Sequence, residues 1–188
     1  MSSSQSGEGA RTPPAPISSA PAADPVALGR GLAVLRIFVG LIAFSNGLAK
    51  LFSFRELDFG PYFGTLVDRP EARGILETEA GRNDLPLVPS IVKDVVLPSY
   101  DVMQWLLTAA ELGTGVLLLI GLLSRGAALI VFLQHFGLQL LYVSSGRFAF
   151  EQPHEWVAPL VLAVVPAGLV WGLDGRLRRN RPRVRWPS

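Results

Sequence analysis

Four long apolar segments constrain the fold of this chain more than any other feature of its sequence. They cover residues 30–52, 101–123, 126–146 and 155–173, and none is interrupted by a run of charges. A bilayer core of about 30 Å takes roughly 20 helical residues to cross. A soluble helix of this length carries a polar face, whereas LTAAELGTGVLLLIGLL in the second segment holds a single charge. The sequence therefore predicts an all-α bundle of four transmembrane helices.

The flanking segments divide the chain into three regions. Residues 1–29 are rich in Ser, Ala, Pro and Gly without an apolar period, which predicts a disordered N-terminal tail. Residues 30–178 are predicted to form the membrane domain, and residues 179–188 a basic C-terminal tail. The fourth segment contains Pro159 and Pro166, which a membrane helix tolerates, usually with a kink.

The distribution of arginine predicts how the chain is oriented in the membrane. Fifteen of the seventeen basic residues are arginine, and six of them lie in the last 13 residues. Arg125 lies in the tight turn between the second and third segments, and Arg11 and Arg30 precede the first. Because cytoplasmic loops carry an excess of Lys and Arg, both termini are predicted to be cytoplasmic. We expect a multi-pass protein of the inner (plasma) membrane, with the long 53–100 loop outside.

The long loop between the first two segments holds two different kinds of sequence. Its first half, RPEARGILETEAGRNDLP, is predicted to form a short helix. Its second half, LVPSIVKDVVLPSY, is apolar and bounded by prolines, so it either lies in the membrane interface or packs over the mouth of the bundle. An ordinary connector is the alternative to both.

Three polar residues of the first segment need an explanation at membrane depth. Arg36 lies near the cytoplasmic end, where a long side chain can snorkel to the headgroups. Asn46 and Lys50 are four residues apart and share one helix face. Lys50 is near enough to the outer surface to snorkel, and Asn46 can hydrogen-bond to a neighbouring helix. Both residues are candidates either for structural contacts or for ligand binding.

Glu111 is the polar residue whose position at membrane depth is hardest to explain. It lies near the middle of the second segment, so it must be protonated, paired with a base, or facing a wet or ligand-filled cavity. His135 lies on the antiparallel third segment, and its depth differs from that of Glu111 by only about 5 Å. Gln134 and Gln139 are nearby on the same segment. Glu111 and His135 form either a satisfied buried hydrogen bond or a proton-accepting or quinone-headgroup site, and are the catalytic candidates.

Composition excludes several kinds of redox centre. The chain has no cysteine, which rules out a dithiol pair, an iron–sulfur cluster and a thioether-linked haem. With two histidines, His135 and His154, a His-rich metal site is not expected. We therefore predict no metal site, no covalently bound cofactor and no nucleic-acid partner; a quinone, if used, would be a substrate.

Three stretches of the sequence together resemble the DoxX/DoxD family of membrane proteins. They are LRIFVGLIAFSNGLAKLF, AAELGTGVLLLIGLLSRGAALI and GLVWGLDGRL, and the resemblance covers about residues 30–178. It implies a four-helix membrane bundle. Some members are associated with thiosulfate:quinone oxidoreductase, and others with membrane redox complexes or stress responses. Lys50, Glu111, Arg125 and Asp174 fall on the family pattern, and the long loop looks closer to the DoxD type.

The resemblance leaves more than one function open. The first is a membrane oxidoreductase subunit that hands electrons to a quinone, of the thiosulfate:quinone type, together with a partner redox subunit. The second is a non-catalytic scaffold or anchor for a soluble redox partner, and the third and weakest is a small transporter. A homo-oligomer is compatible with each. Candidates for binding substrate or quinone are Asn46, Lys50, Gln134, Gln139 and Arg125.

Overall fold

The protein is a helical bundle that carries a folded layer at one end. The computed structural model describes residues 24–148 and 150–180, so the predicted tails lie largely outside the described residues. The helices and strands are α1 Pro25–Phe52, β1 Glu56–Phe59, β2 Tyr62–Thr65, α2 Arg69–Arg82, α3 Val88–Ile91, α4 Tyr100–Ile120, α5 Ser124–Leu141, α6 Pro153–Val164 and α7 Leu173–Asn180. A π-helical turn, Val92–Val96, continues α3, and a 3₁₀ turn, Ala167–Leu169, follows α6.

The four longest apolar helices pack around one core. Helix α1 packs on α4, α4 on α5, α5 on α6, and α6 returns to α1. The largely helical architecture predicted from the sequence is confirmed, and α1 and α4 are each long and apolar enough to cross a membrane. The buried core side chains come from all four helices and the 3₁₀ turn: Val39, Ala43, Leu118, Ala127, Ala128, Val131, Leu162 and Ala167.

Small residues allow α1 and α4 to approach closely. A Cβ atom added to Gly115 would lie 2.6 Å from the backbone nitrogen of Phe44, and one added to Gly47 would lie 2.8 Å from that of Leu112. Real Cβ atoms do not approach backbone this closely, so both positions require glycine at the present helix separation. The same contact of small residues lets membrane helices pack by van der Waals attraction.

Several helix ends differ from the predicted segments, and two of them have a clear local reason. Helix α1 begins at Pro25, because the Asp24 carboxylate accepts a hydrogen bond from the Val26 N–H at 2.9 Å and caps the helix. Helix α6 ends at Val164 rather than near residue 173. Pro166 forces the preceding Val165 into extended backbone, with φ −99° and ψ 145°, and so stops the helix.

Residues 53–99 form a compact layer, here called the capping layer, at the end of the bundle where α1 stops. Strands β1 and β2 pair as an antiparallel hairpin, and α2 is the short helix predicted in the first half of the loop. The apolar second half packs over the end of α5, which is one of the two predicted arrangements. Ala80 and Val92 of the layer form a buried cluster with Leu141 of α5.

Polar contacts fix the capping layer to the bundle. The Asn83 side-chain amide donates to the carbonyls of Leu140 and Leu141 at 2.8 and 2.7 Å, and so caps the C-terminus of α5. The Tyr100 hydroxyl donates to the Arg69 carbonyl at 2.6 Å. The Arg69 guanidinium in turn lies 4.4 Å from the centroid of the Trp105 ring, a cation–π contact. The long loop is therefore ordered by contacts with the bundle along much of its length.

The opposite end of the bundle, here called the basal end, gathers distant parts of the chain. It holds the start of α1, the turn between α4 and α5, and α7. Gly29 of α1 lies against Val170, and the Asp174 N–H donates to the Gly121 carbonyl at 2.8 Å. The segments that the sequence places on one side of the membrane are thus together in the fold.

Candidate functional site

A buried ion pair joins α1 to α4. The Lys50 ammonium nitrogen lies 2.9 Å from Oε2 of Glu111, and the two side chains are 4% and 16% exposed. The contact is possible because Gly47, one turn before Lys50, lies directly against Leu112. Lys50 therefore pairs with Glu111 instead of snorkelling to the outer surface. Of the three alternatives predicted for Glu111, the structure has the carboxylate paired with a base.

The other predicted polar residues are distributed around this pair. His135 Nδ1 lies 3.0 Å from the Glu155 carbonyl, which can only accept, so Nδ1 carries the proton. Glu111 and His135 do not meet through a hydrogen bond in the part of the chain that the structure describes. Gln139 accepts a hydrogen bond from the Trp156 indole at 3.3 Å. Among the described residues, half-buried Asn46 and Gln134 make no side-chain hydrogen bond.

Arg36 is fully buried at the basal end. Its Nη1 donates to the carbonyls of Ala167 and Val170 at 2.9 and 3.2 Å, and Nη2 donates to the Trp171 carbonyl at 3.0 Å. The prediction that Arg36 snorkels to the headgroups is therefore wrong. Because α6 stops before Pro166, the carbonyls that follow lack helical partners, and the guanidinium fork supplies the donors.

Asp174 holds the start of α5 beside this arginine. It is fully buried and accepts from the N–H groups of Leu123 and Ser124 at 2.8 and 3.0 Å. The Ser124 hydroxyl donates to the same carboxylate at 2.6 Å. A carboxylate at a helix N-terminus satisfies unpaired N–H groups and complements the helix dipole. Sequence reasoning missed these structural roles of Arg36 and Asp174, although Pro166 signalled a helix end whose carbonyls need donors.

Arg125, a predicted ligand-binding residue, also contacts backbone. Its Nε donates to the Ala163 carbonyl at 3.1 Å, one residue before the end of α6. Three buried or partly buried cations therefore interact with groups of the bundle itself. Lys50 neutralises Glu111, whereas Arg36 and Arg125 donate hydrogen bonds to backbone carbonyls. Arg125 holds the basal end of the short helix α6, and Arg36 holds the segment that follows it.

Two cavities lie at opposite ends of the bundle. The basal cleft has a volume of about 820 Å³, and its lining includes Ile120, Leu169, Trp171, Arg176, Arg178 and Arg179. The second cavity, about 170 Å³, is near the capping layer, and its lining includes Gln139, Tyr142, Arg147, Phe148 and Gln152. The hydrogen bond to Glu151 raises the pKa of Arg147 beside this second cavity. Neither cavity is lined by Glu111 or His135. Over residues 24–148 and 150–180, no group of three His, Asp or Glu is placed to hold a metal ion.

The outward faces of the bundle are apolar on all four helices. Phe38 of α1, Leu106 of α4 and Leu133 of α5 are each close to 60% exposed, and Val164 of α6 is 64% exposed. Apolar side chains exposed on every helix of a bundle form a surface that is unusual for a soluble monomer, where large apolar patches mark an interaction site or an aggregation hazard. Lipid tails would cover it without cost.

Comparison with known families identifies the group to which the chain belongs. The DoxX family model matches residues 31–144, which is more than half of the chain. The match includes Arg36, Lys50, Glu111 and Arg125, and it ends before α6 and Asp174. No curated protein and no solved structure matched the chain. The chain therefore belongs to the DoxX family, a family of membrane-associated proteins.

Proposed function

We propose that the protein is a multi-pass protein of the plasma membrane, crossed by α1, α4, α5 and α6, with its basal end in the cytoplasm. The apolar outer faces of all four helices support this arrangement. Helix α6 has 12 residues, or about 18 Å at 1.5 Å per residue. The chain beyond it, to Leu169, would complete the crossing, and its irregular backbone is satisfied by Arg36 as buried membrane segments require.

The orientation is testable with two reporter fusions. We expect a fluorescent protein fused after Ser188 to be bright, because the basal end is cytoplasmic. Alkaline phosphatase, which folds only outside the cytoplasm, should be active when inserted after Gly60 in the hairpin turn. The matched control exchanges the reporters between the two positions, and both should then be inactive. Phosphatase activity at the C-terminus would overturn the topology.

We infer that this membrane protein is a subunit of a quinone-linked oxidoreductase, and the Lys50–Glu111 pair carries the inference. Reducing a quinone to a quinol takes two electrons and two protons, so the site needs groups that exchange protons. Buried acid–base pairs are typical of such sites. Glu111 keeps 16% of its side chain exposed, and the proposed quinone headgroup would reach the carboxylate through this exposed part. The resemblance to DoxD-type chains supports the same assignment.

The electrons must come from a partner in this proposal. The chain contains no cysteine, and its side chains offer no redox centre of their own. The partner subunit would hold the electron-carrying centre and oxidise the reductant, for which thiosulfate is the first to test. The bundle would bind and orient the quinone, and Glu111 with Lys50 would supply the protons.

A non-catalytic anchor is the second candidate, and two observations favour it. The buried charged side chains of Arg36, Lys50 and Asp174 all have partners within the described chain, and the two cavities do not reach Glu111. In that case the ion pair only stabilises the bundle, and the protein holds a soluble redox enzyme at the membrane.

Quinone reduction separates the two candidates. The complex is purified from membranes with its partners, and reduction of a ubiquinone analogue by thiosulfate is followed optically. We expect Glu111→Gln to lower the rate at least tenfold, because the carboxylate no longer exchanges protons. The matched control is Glu77→Gln, which makes the same change on an exposed carboxylate of α2 and should leave the rate within twofold.

A second variant separates proton transfer by the pair from the contribution of the pair to folding. Lys50→Met with Glu111→Gln contains no unpaired charge, so it should fold while remaining at least tenfold slower. A double variant with the wild-type rate would exclude the pair from proton transfer. Absence of turnover in the wild type, together with stoichiometric recovery of a soluble redox enzyme, would establish the anchor instead.

A further inference from the structure

The basal cleft combines three cations with an apolar wall. Arg176, Arg178 and Arg179 all come from α7 and are exposed. Ile120, at the end of α4, and Leu169, in the 3₁₀ turn, line the same cleft. Its volume is about 820 Å³, and it opens to the outside of the bundle.

The positive charge of this cleft is not balanced by the residues around it. Within the described chain, none of the three arginines has a carboxylate oxygen within 4 Å. Asp174, the acidic residue of the same helix, is turned inward and bound to Ser124. Arginine guanidinium groups bind phosphate oxygens in bidentate pairs, so an uncompensated cluster fits a phosphate group.

The apolar wall continues onto the outer face of the bundle. Ile120 is 41% exposed, and Val116, one turn along the same face of α4, is 42% exposed. Trp171 is 62% exposed beside the arginines, and tryptophan is enriched where headgroups meet acyl chains. A ligand with a phosphate at one end and a hydrocarbon chain at the other matches both parts of the surface.

We propose that the basal cleft binds an anionic phospholipid, with its headgroup phosphate on the α7 arginines and an acyl chain along α4. The proposal depends on the membrane embedding of the bundle and not on quinone chemistry. An acidic protein segment would match the arginines but would not use the apolar wall that runs toward the lipid-facing side of α4. Lipid is therefore the occupant that accounts for both features.

Lipid retention in the purified, full-length protein tests the proposal. Native mass spectrometry would count bound phosphatidylglycerol and phosphatidylcholine of the same chain length. We expect at least tenfold preference for phosphatidylglycerol, and its loss in the triple variant Arg176→Gln, Arg178→Gln, Arg179→Gln. The matched control, Arg55→Gln, Arg73→Gln, Arg82→Gln, removes three exposed arginines from the capping layer and should keep the preference within twofold.

A fluorescence measurement tests the position of the lipid without altering the arginines. Brominated phosphatidylglycerol should quench tryptophan emission in the wild type, and Trp171→Phe should remove most of the quenching. Excess glycerol phosphate should compete only weakly, because it lacks the acyl chain. Equal binding of the two lipids, or equal loss in both triple variants, would overturn the proposal. Displacement by polyglutamate at lower concentration than by phosphatidylglycerol would assign the cleft to a protein partner.

Discussion

Lys50→Met alone is expected to destabilise the protein by about 3–5 kcal/mol, because it leaves Glu111 as a buried charge without a partner. The ammonium and carboxylate are 2.9 Å apart, and the lysine side chain is 4% exposed, so water cannot replace the lost cation. Methionine fills a similar volume, and the change therefore tests charge more than packing. The measurement is the free energy of unfolding in detergent.

The double variant Lys50→Met with Glu111→Gln should recover most of that loss. It removes both charges together, and replacing a buried ion pair by neutral groups is often close to neutral. The matched control is Lys93→Met, which changes the chain's only other lysine, an exposed residue of the capping layer, and should cost less than about 0.5 kcal/mol. Additive losses in the double variant would show that the two side chains do not act as a pair.

Arg36→Gln is the second change with a large expected effect. It removes donors from the carbonyls of Ala167, Val170 and Trp171, which are bonded to the guanidinium at 2.9–3.2 Å. An unsatisfied buried acceptor costs about 1–3 kcal/mol. We expect a total of roughly 3 kcal/mol or more, since glutamine is too short to serve all three.

The Arg36→Gln change should increase local opening of the basal end as well as lower the overall stability of the protein. Amide hydrogen exchange should accelerate at Leu123, Ser124 and Asp174, because Arg36 holds the backbone against which Asp174 packs. The matched control is Arg30→Gln, six residues earlier on α1 and exposed, which should change stability by less than about 0.5 kcal/mol. Equal losses in the two variants would mean that the charge of the basal end, and not the hydrogen bonds of Arg36, determines stability.

The sequence predicts the helices of this bundle well because hydrophobic length is a local property. The first three apolar segments correspond to α1, α4 and α5 with small shifts at their ends. The fourth is helical only over Pro153–Val164. Its last part is just as apolar, so composition does not reveal the break, and only the backbone restriction imposed by Pro166 does.

The partners of the buried charges are harder to predict because they depend on helix register and on distant residues. Lys50 and Glu111 are each identifiable as costly in a membrane, yet their contact depends on Gly47 allowing α1 to approach α4. The antiparallel arrangement of α4 and α5 predicts His135 as the partner of Glu111 instead. That argument uses the depth of each residue in the membrane but not the rotation of each helix about its axis. The acceptors of Arg36 lie more than 130 residues away in sequence, so its position near a helix end predicts snorkelling instead.

That separation has a consequence for how the protein is made. The guanidinium of Arg36 and the carbonyl of Ala167 are 131 residues apart along the chain. At about 5–20 residues per second of synthesis, Arg36 is made about 7–26 s before its acceptors exist. During that interval α1 carries a cation without its final hydrogen-bond acceptors, which under the proposed topology lipid phosphates or the insertion machinery would accommodate. A segment made late in synthesis therefore completes the burial of a residue made early.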